Sequence, residues 1–386
     1  MKRILFFLLT LSSICSSFSQ SPQKRATPVP TITVPDSATV STTSLSNYFK
    51  QKYVSDSDRV KAIFTWVATN IQYDVESMFL LTYGEGRDEI INKALKTRTA
   101  SCEGYAELYN EICNKAGIQS MVIEGYTKQK GMVDYIGHAW VAAKVNSTWY
   151  MFDPTWSSGY VSNNKFTKGF TYRYYKVKPE ELIKTHMPFD PMDQLLKQPL
   201  TTKAFYDGNF AVNASRPLFS FEDTLAHHSK LSEIDKVKNI SRRIEANGVK
   251  SSMILQMLHY FRNKELYLRN EESNKQADLV NTASSIANDA VIDFNRYIEY
   301  KNKQFIPKKP DAEIEHMLVD VQSKMDRAAL MIAAIITDEP SYNLSISQTN
   351  TVISDLQKRV KEEKLFVDKY LKTKKLLRPW LFTKLG

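Results

Sequence analysis

Arg98-Thr-Ala-Ser-Cys-Glu-Gly-Tyr105 sets a cysteine directly behind a serine and ahead of an amphipathic run. Past it, Tyr105, Ala106, Tyr109, Ile112, Cys113 and Ala116 recur at three- and four-residue spacing, which predicts a helix closed by Gly117. Cys102 then falls in the first turn, with Ser101 or Thr99 as cap, where unpaired backbone N–H groups favour a thiolate over a thiol. A cysteine on an apolar helix face is ordinarily a small buried hydrophobe, and Cys113 fits that description. Cys102 stands apart because of what comes after it.

The next segments alternate like strands: 120–126, then 138–145, then 148–153 ahead of Pro154. Asn146-Ser147 between the last two suits a two-residue hairpin turn. With Val145 opposite Thr148, Trp140 faces Asp153, His138 faces Thr155, and all four side chains point to one side of the sheet. His138 and Asp153 become diagonal neighbours roughly 7–8 Å apart at the backbone, within reach of a side-chain hydrogen bond. A three-residue loop would turn Asp153 to the other face, so the register decides the geometry. In that register Asp153 fixes the imidazole tautomer and stabilises its cation, His138 takes the thiol proton, and Cys102 attacks a carbonyl carbon. A lone His or Asp on a strand is more often structural; the ordered combination is much rarer by chance.

At these residues the sequence resembles the transglutaminase-like superfamily, most closely its kyphoscoliosis-peptidase branch. The matching motifs are Ser101-Cys-Glu-Gly-Tyr-Ala106, Gly137-His-Ala-Trp140 and Trp149-Tyr-Met-Phe-Asp-Pro-Thr-Trp156, with Asn70-Ile-Gln-Tyr-Asp74 upstream and 179–196 downstream. The likeness covers about residues 45–210. It implies nucleophile, base and orienting acid at Cys102, His138 and Asp153. It also implies a papain-like α+β core in which the cysteine helix packs on an antiparallel sheet.

The start of the chain, with Lys2 and Arg3 before an apolar run at 4–11 and small polar residues to Gln20, reads as a secretory signal peptide cleaved after Ser19. That run is too short to span a bilayer, and no later segment is long and apolar enough. The expected protein is therefore exported, periplasmic or secreted. Without Cys15, two of the three cysteines remain, Cys102 and Cys113. Eleven residues apart on one helix, they are separated by about 16 Å of helical rise and cannot bridge. An exported protein lacking a disulfide framework relies on its core.

The 386-residue length suggests two domains. Residues 20–44, rich in Pro, Ser and Thr, read as a flexible leader or short edge strand. Helical patterns begin at Leu45, and 45–217 reads as the transglutaminase-like domain. Tyr73 is a candidate oxyanion donor or, equally, a packed aromatic. Trp140 and Trp156 flank the triad and could wall an acyl groove or belong to the core. A short helix is expected near 179–185, with His186 a packing residue at its end. No Cys/His/Asp group has metal-ligand spacing, and neither a metal nor another cofactor is expected.

From 218 to 386 the chain reads as a helical bundle, with stripes at Leu231, Ile234, Val237, Ile244; at Ile314, Leu318, Val321, Met325, Ala328, Ile332; and at Ile353, Leu356, Val360, Val367, Leu371. Gly248, 307–310 and Pro340 separate them. The net charge of +10 is concentrated at one place. Residues 358–386 hold ten Lys/Arg against three Asp/Glu, and Lys2 and Arg3 belong to the leader, leaving about +1 elsewhere. Such a basic tail can rest on an anionic membrane surface as a peripheral contact or simply be a solvated helix face. Export argues against nucleic acid as a partner. The expected function is a cysteine peptidase or amidase acting on protein or peptide substrates of the cell envelope, with transamidation as the variant and a catalytically silent interaction module as the rival.

Overall fold

The computed structural model describes residues 31–79, 86–211, 218–337 and 339–382. The leader read at 1–19, and most of the junction before residue 218, lie outside them.

The elements of the first half are α1 (Thr42–Lys52), α2 (Asp56–Asn70), β1 (Gln72–Tyr73), α3 (Arg87–Thr97), β2 (Thr99–Ala100) and α4 (Cys102–Lys115). They continue with β3 (Ser120–Gln129), β4 (Met132–Val145), β5 (Thr148–Phe152), α5 (Pro154–Ser158), β6 (Gly159–Ser162), β7 (Lys165–Lys168), α6 (Pro179–Leu182), β8 (His186–Pro188) and α7 (Thr202–Asp207). All six residues that predicted the inner stripe of α4 are fully buried. Phe64 of α2 meets Tyr109 of α4 edge to face at 5.9 Å. Each such large apolar side chain taken out of water contributes about 1.5–3 kcal/mol, so truncating Ile112 to alanine should cost about 2–5 kcal/mol.

Serines begin the buttressing helices. Ser41 accepts from the Ser44 N–H at 3.0 Å and Ser55 from that of Asp58 at 3.1 Å, each relieving an unpaired donor of the first turn. Both helices also hold the far end of α4. Ser46 Oγ donates to the Ile112 carbonyl and Arg59 Nη1 to that of Ala116, each at 3.2 Å. Before α1, within the stretch expected as a leader, Ile32 and Val34 pack against this core.

A four-stranded antiparallel sheet runs in the order β5-β4-β3-β8. Asn146 and Ser147 both take left-handed backbone angles (φ 49° and 65°), the twist that a two-residue hairpin loop requires. Val145 pairs with Thr148, and the ladder runs to Val141 opposite Phe152. One sheet face, with Ala139, Val141, Ala143, Val145 and Phe152, joins the core under α4. The opposite face, with Trp140, Ala142, Trp149 and Met151, packs with Ile123, Leu182 and Leu195.

Two details differ from the expected pattern. The chain leaves the ladder after Phe152, because Pro154 lacks an N–H and opens α5, so Thr155 does not pair with His138. His186 follows not a longer helix but a turn after Leu182, and begins strand β8 against β3. The β6–β7 hairpin, absent from the sequence reading, pairs Gly159–Ser162 with Lys165–Lys168.

Beyond α7 come α8 (Phe221–His228), α9 (Glu233–Asn247), α10 (Ser252–Asn302), α11 (Asp311–Ala333) and α12 (Pro340–Lys372), with a final 3-10 turn at Lys375–Leu381. The chain divides into one compact unit up to Leu225 together with Ala246–Ile254, and a second formed by Ala226–Glu245 and Leu255–Gly386. In the second unit all six predicted α11 residues are buried, facing Ile353, Leu356, Val360 and Val367 of α12. The third wall is α10, through Ala287, Ala290, Phe294 and Tyr297. Among the described residues no helix is long and apolar enough to cross a membrane.

Candidate active site

Ser101 has extended backbone angles and caps α4, its Oγ accepting from the Gly104 N–H at 3.5 Å. This holds Cys102 at the first helical position, half-buried, whereas Cys113 is fully enclosed. Burial pushes the Cys113 thiol up to about 12, which leaves it unreactive. Gly104 lets this helix end seat closely, since a Cβ there would come within 2.8 Å of the Ala100 Cβ.

Asp153 carries the geometry. Released from β5, it becomes the N-cap of α5, with Oδ1 accepting from the Trp156 N–H at 2.9 Å. Its Oδ2 accepts from His138 Nε2–H at 2.8 Å. The same oxygen accepts from His186 Nε2–H at 3.1 Å. The carboxylate is fully buried, with three donors on its two oxygens. Burial alone would push it up; the charge of His138, then the hydrogen bonds from His138 and His186, hold it well below the usual carboxylate range.

His138 is correspondingly basic. Burial lowers its affinity for a proton, but the adjacent Asp153 charge and hydrogen bond, followed by the Cys102 thiol, raise it to about 10. The Cys102 thiol neighbours this imidazole and adds to its basicity. With Nε2 committed to Asp153, the nitrogen left for the thiol is Nδ1. The ring sits between Trp140 at 6.1 Å and Trp156 at 5.5 Å. Trp140 is 1% exposed and therefore forms the packed floor of the site, not a groove wall. Trp156 is half-buried and retains an open side.

Residues 43–154 match the model of the transglutaminase-like superfamily. The kyphoscoliosis peptidase of Mus musculus is 33% identical over 166 residues, 40% of this chain and 24% of that protein. Hillarin of Drosophila melanogaster is 22% identical over 183 residues, 42% of this chain and 22% of the other. Over residues 43–154 the chain is transglutaminase-like. It spans about a quarter of the length of these curated relatives. Among solved structures, the periplasmic domain of TgpA from Pseudomonas aeruginosa is similar at 21% identity and a TM-score of 0.26, covering 32% of this chain and 45% of that one.

Two features of this transglutaminase-like site arise from pairings between distant segments. Tyr73 pairs with Ala100 where β1 runs parallel to β2, two residues before the cysteine. Burial, then the Cys102 and Asp153 charges, keep its phenol protonated far above the ordinary value, so it remains an O–H donor. His186 reaches Asp153 because β8 pairs with β3, Thr127 opposite His186 and Gly125 opposite Pro188. Gly125 permits this close approach: a Cβ there would lie 2.2 Å from the Met187 carbonyl oxygen and 2.6 Å from the Trp140 ring. Burial depresses His186, which stays neutral with its proton on Nε2, so Nδ1 accepts from Thr185 Oγ1–H at 2.8 Å.

His186 is thus not the helix-end packing residue that its sequence position suggested. Ligand atoms of His138, Asp153 and His186 lie within 4.8 Å of one another, a grouping that could hold a metal ion and that linear spacing concealed. In the hydrogen-bonded arrangement both Nε2 atoms carry protons given to Asp153, so metal ligation would first require their loss.

Proposed function

We propose that the chain is a thiol enzyme acting on the amide or peptide bonds of protein substrates, with Cys102 as nucleophile, His138 as acid–base group and Asp153 as its orienting anion. The observation that carries this reading is one imidazole joined at Nε2 to a buried carboxylate, with a helix-terminal thiol adding to its basicity. Sγ would attack the carbonyl carbon while His138 holds the thiol proton. Collapse of the tetrahedral intermediate breaks the C–N bond, and His138 delivers that proton to the leaving amine. The thioester left on Cys102 is then opened by water, which yields the acid and the free thiol.

Tyr73 O–H is suited to stabilise the developing oxyanion, and the open side of Trp156 to flank the acyl group. His186 acts as a positioning residue through Asp153. An amine in place of water would make the second step a transamidation. Hydrolysis is the preferred outcome because water is always available.

The test uses the full chain and an iodoacetamide probe. Cys102 should be alkylated at least tenfold faster than a peptide thiol at neutral pH, and profiling of cleaved or cross-linked proteins should lose its signal in Cys102→Ala. A Cys102 no faster than the peptide, with no proteomic difference, overturns the enzyme reading and leaves the interaction module.

A further inference from the structure

We propose that one end of the helical bundle in the second unit is a docking surface for a bilayer that carries anionic lipids. Two segments distant in sequence build it. The α10–α11 connection supplies exposed Lys303, Lys308 and Lys309 around Ile306, which is 60% exposed. The end of α12 and the turn after it supply exposed Lys372, Lys374 and Lys375 beside Leu376, Leu377 and Trp380, which are 92%, 53% and 71% exposed.

Internal contacts hold both segments at the same end. Phe305 packs its ring on Tyr370 at 4.7 Å and on Phe382 at 5.8 Å. Tyr300 Oη donates to the Pro307 carbonyl at 2.7 Å, which fastens the connection. Arg378 donates to both carboxylate oxygens of Asp311 at 2.7 and 2.8 Å and lies over the Tyr370 ring. Leu376, Leu377 and Trp380 therefore project from an anchored turn, and docking need not order it first.

Charge and shape together select the occupant. Asp311 is matched by Arg378 and Glu313 by Lys309 at 3.5 Å, so Lys303, Lys308, Lys372, Lys374 and Lys375 give this end its positive charge. The apolar residues stand outward instead of lining a groove, which suits insertion among lipid headgroups better than reception of a peptide. Tryptophan and leucine at the tip with lysines around them match an interfacial contact: the rings and stems enter while ammonium groups meet anionic headgroups. The basic excess of residues 358–386 thus has a location, beside exposed apolar side chains.

Full-chain protein would be sedimented with vesicles of phosphatidylcholine alone or mixed with phosphatidylglycerol. Binding is expected only to the mixed vesicles, falling steeply with salt, with a blue shift of Trp380 fluorescence that Trp380→Phe abolishes. Each lysine near the surface contributes about fivefold, so Lys372→Gln, Lys374→Gln and Lys375→Gln together should weaken binding about a hundredfold. Leu376→Ser with Leu377→Ser, at unchanged charge, should weaken it about tenfold or more. All these positions are exposed, and unchanged helical circular dichroism would show that the bundle is intact. Wild type that ignores the mixed vesicles, binds neutral vesicles equally, or binds as well after the lysine changes overturns the proposal.

Discussion

Asp153 and Asp311 each hold a cationic or polar partner, one in the first unit and one in the helical bundle, under opposite conditions. Asp153 is fully buried and receives its donors from β4, β8 and the first turn of α5. Asp311 opens α11 with its side chain 43% exposed and meets a single residue, Arg378, in a two-pronged pair. A buried carboxylate that loses a donor has no water to replace it, whereas an exposed one rehydrates. Each polar contact of Asp153 therefore bears on whether the site has the right charge. In the second unit, stability resides in the apolar stripes of α10, α11 and α12, and surface charge is free to serve recognition.

Cys102→Ala should produce the largest effect. For the chain from Gln20, which lacks Cys15, intact-mass analysis after iodoacetamide should show one adduct in wild type and none in the variant, because Cys113 is buried and its thiol is pushed up. An adduct persisting in the variant would mean that the two cysteines are less different than their burial implies.

Asp153→Asn comes next, with turnover or Cys102 alkylation reduced about a thousandfold, since the imidazolium loses its anion. A stability signature accompanies it. His138 is raised from 6.5 to about 10, so its contribution is fully present below 6.5 and is lost as pH rises towards 10. Asp153 is depressed from 3.8, so its contribution is fully present above that value and is lost as pH falls further. The gap in urea midpoint between wild type and Asp153→Asn should thus be widest between those two ordinary values and narrow on either side. A gap independent of pH would show that Asp153 acts only as a helix cap.

His186→Phe keeps the ring volume but removes a donor from Asp153. We expect a loss of about ten- to a hundredfold, comparable with other partners that orient a reacting group. The acid limb of Cys102 reactivity should also move to higher pH, because His186 helps to hold the Asp153 carboxyl down. His186→Gln, able to place an amide N–H near the same position, should restore much of both. A rate loss without movement of the acid limb would reduce His186 to packing.

Asp311→Asn should do least. Its pair with Arg378 is largely solvent-accessible on the aspartate side, so urea denaturation should register less than about 1 kcal/mol, shrinking with salt. A loss several times larger would place Asp311 with Asp153 and erase the contrast between the units.

The sequence alone determined whatever depends on local periodicity. The 3.6-residue stripe after Cys102 specified α4 and set the cysteine in its first turn. Period-two alternation marked both strands beside Asn146-Ser147, and the two-residue turn that the structure forms there gives the register read conditionally from the sequence, in which His138 can reach Asp153. The regular stripes of α11 and α12 were equally legible, since one helix face meets a core whatever the partner. The 51-residue α10 was not, because its buried face contains the small residues Ala283, Ala287 and Ala290 and offers little hydrophobic contrast. Only the tertiary structure decided the rest of the site. Tyr73 arrives through a two-residue parallel pairing, and His186 through a three-residue strand on the far side of β3. Neither pairing leaves a periodic mark, because such short strands are stabilised by the core around them and not by their own sequence pattern. The gathering of two histidines on one carboxylate oxygen is a consequence of sheet order, which spacing along the chain cannot express.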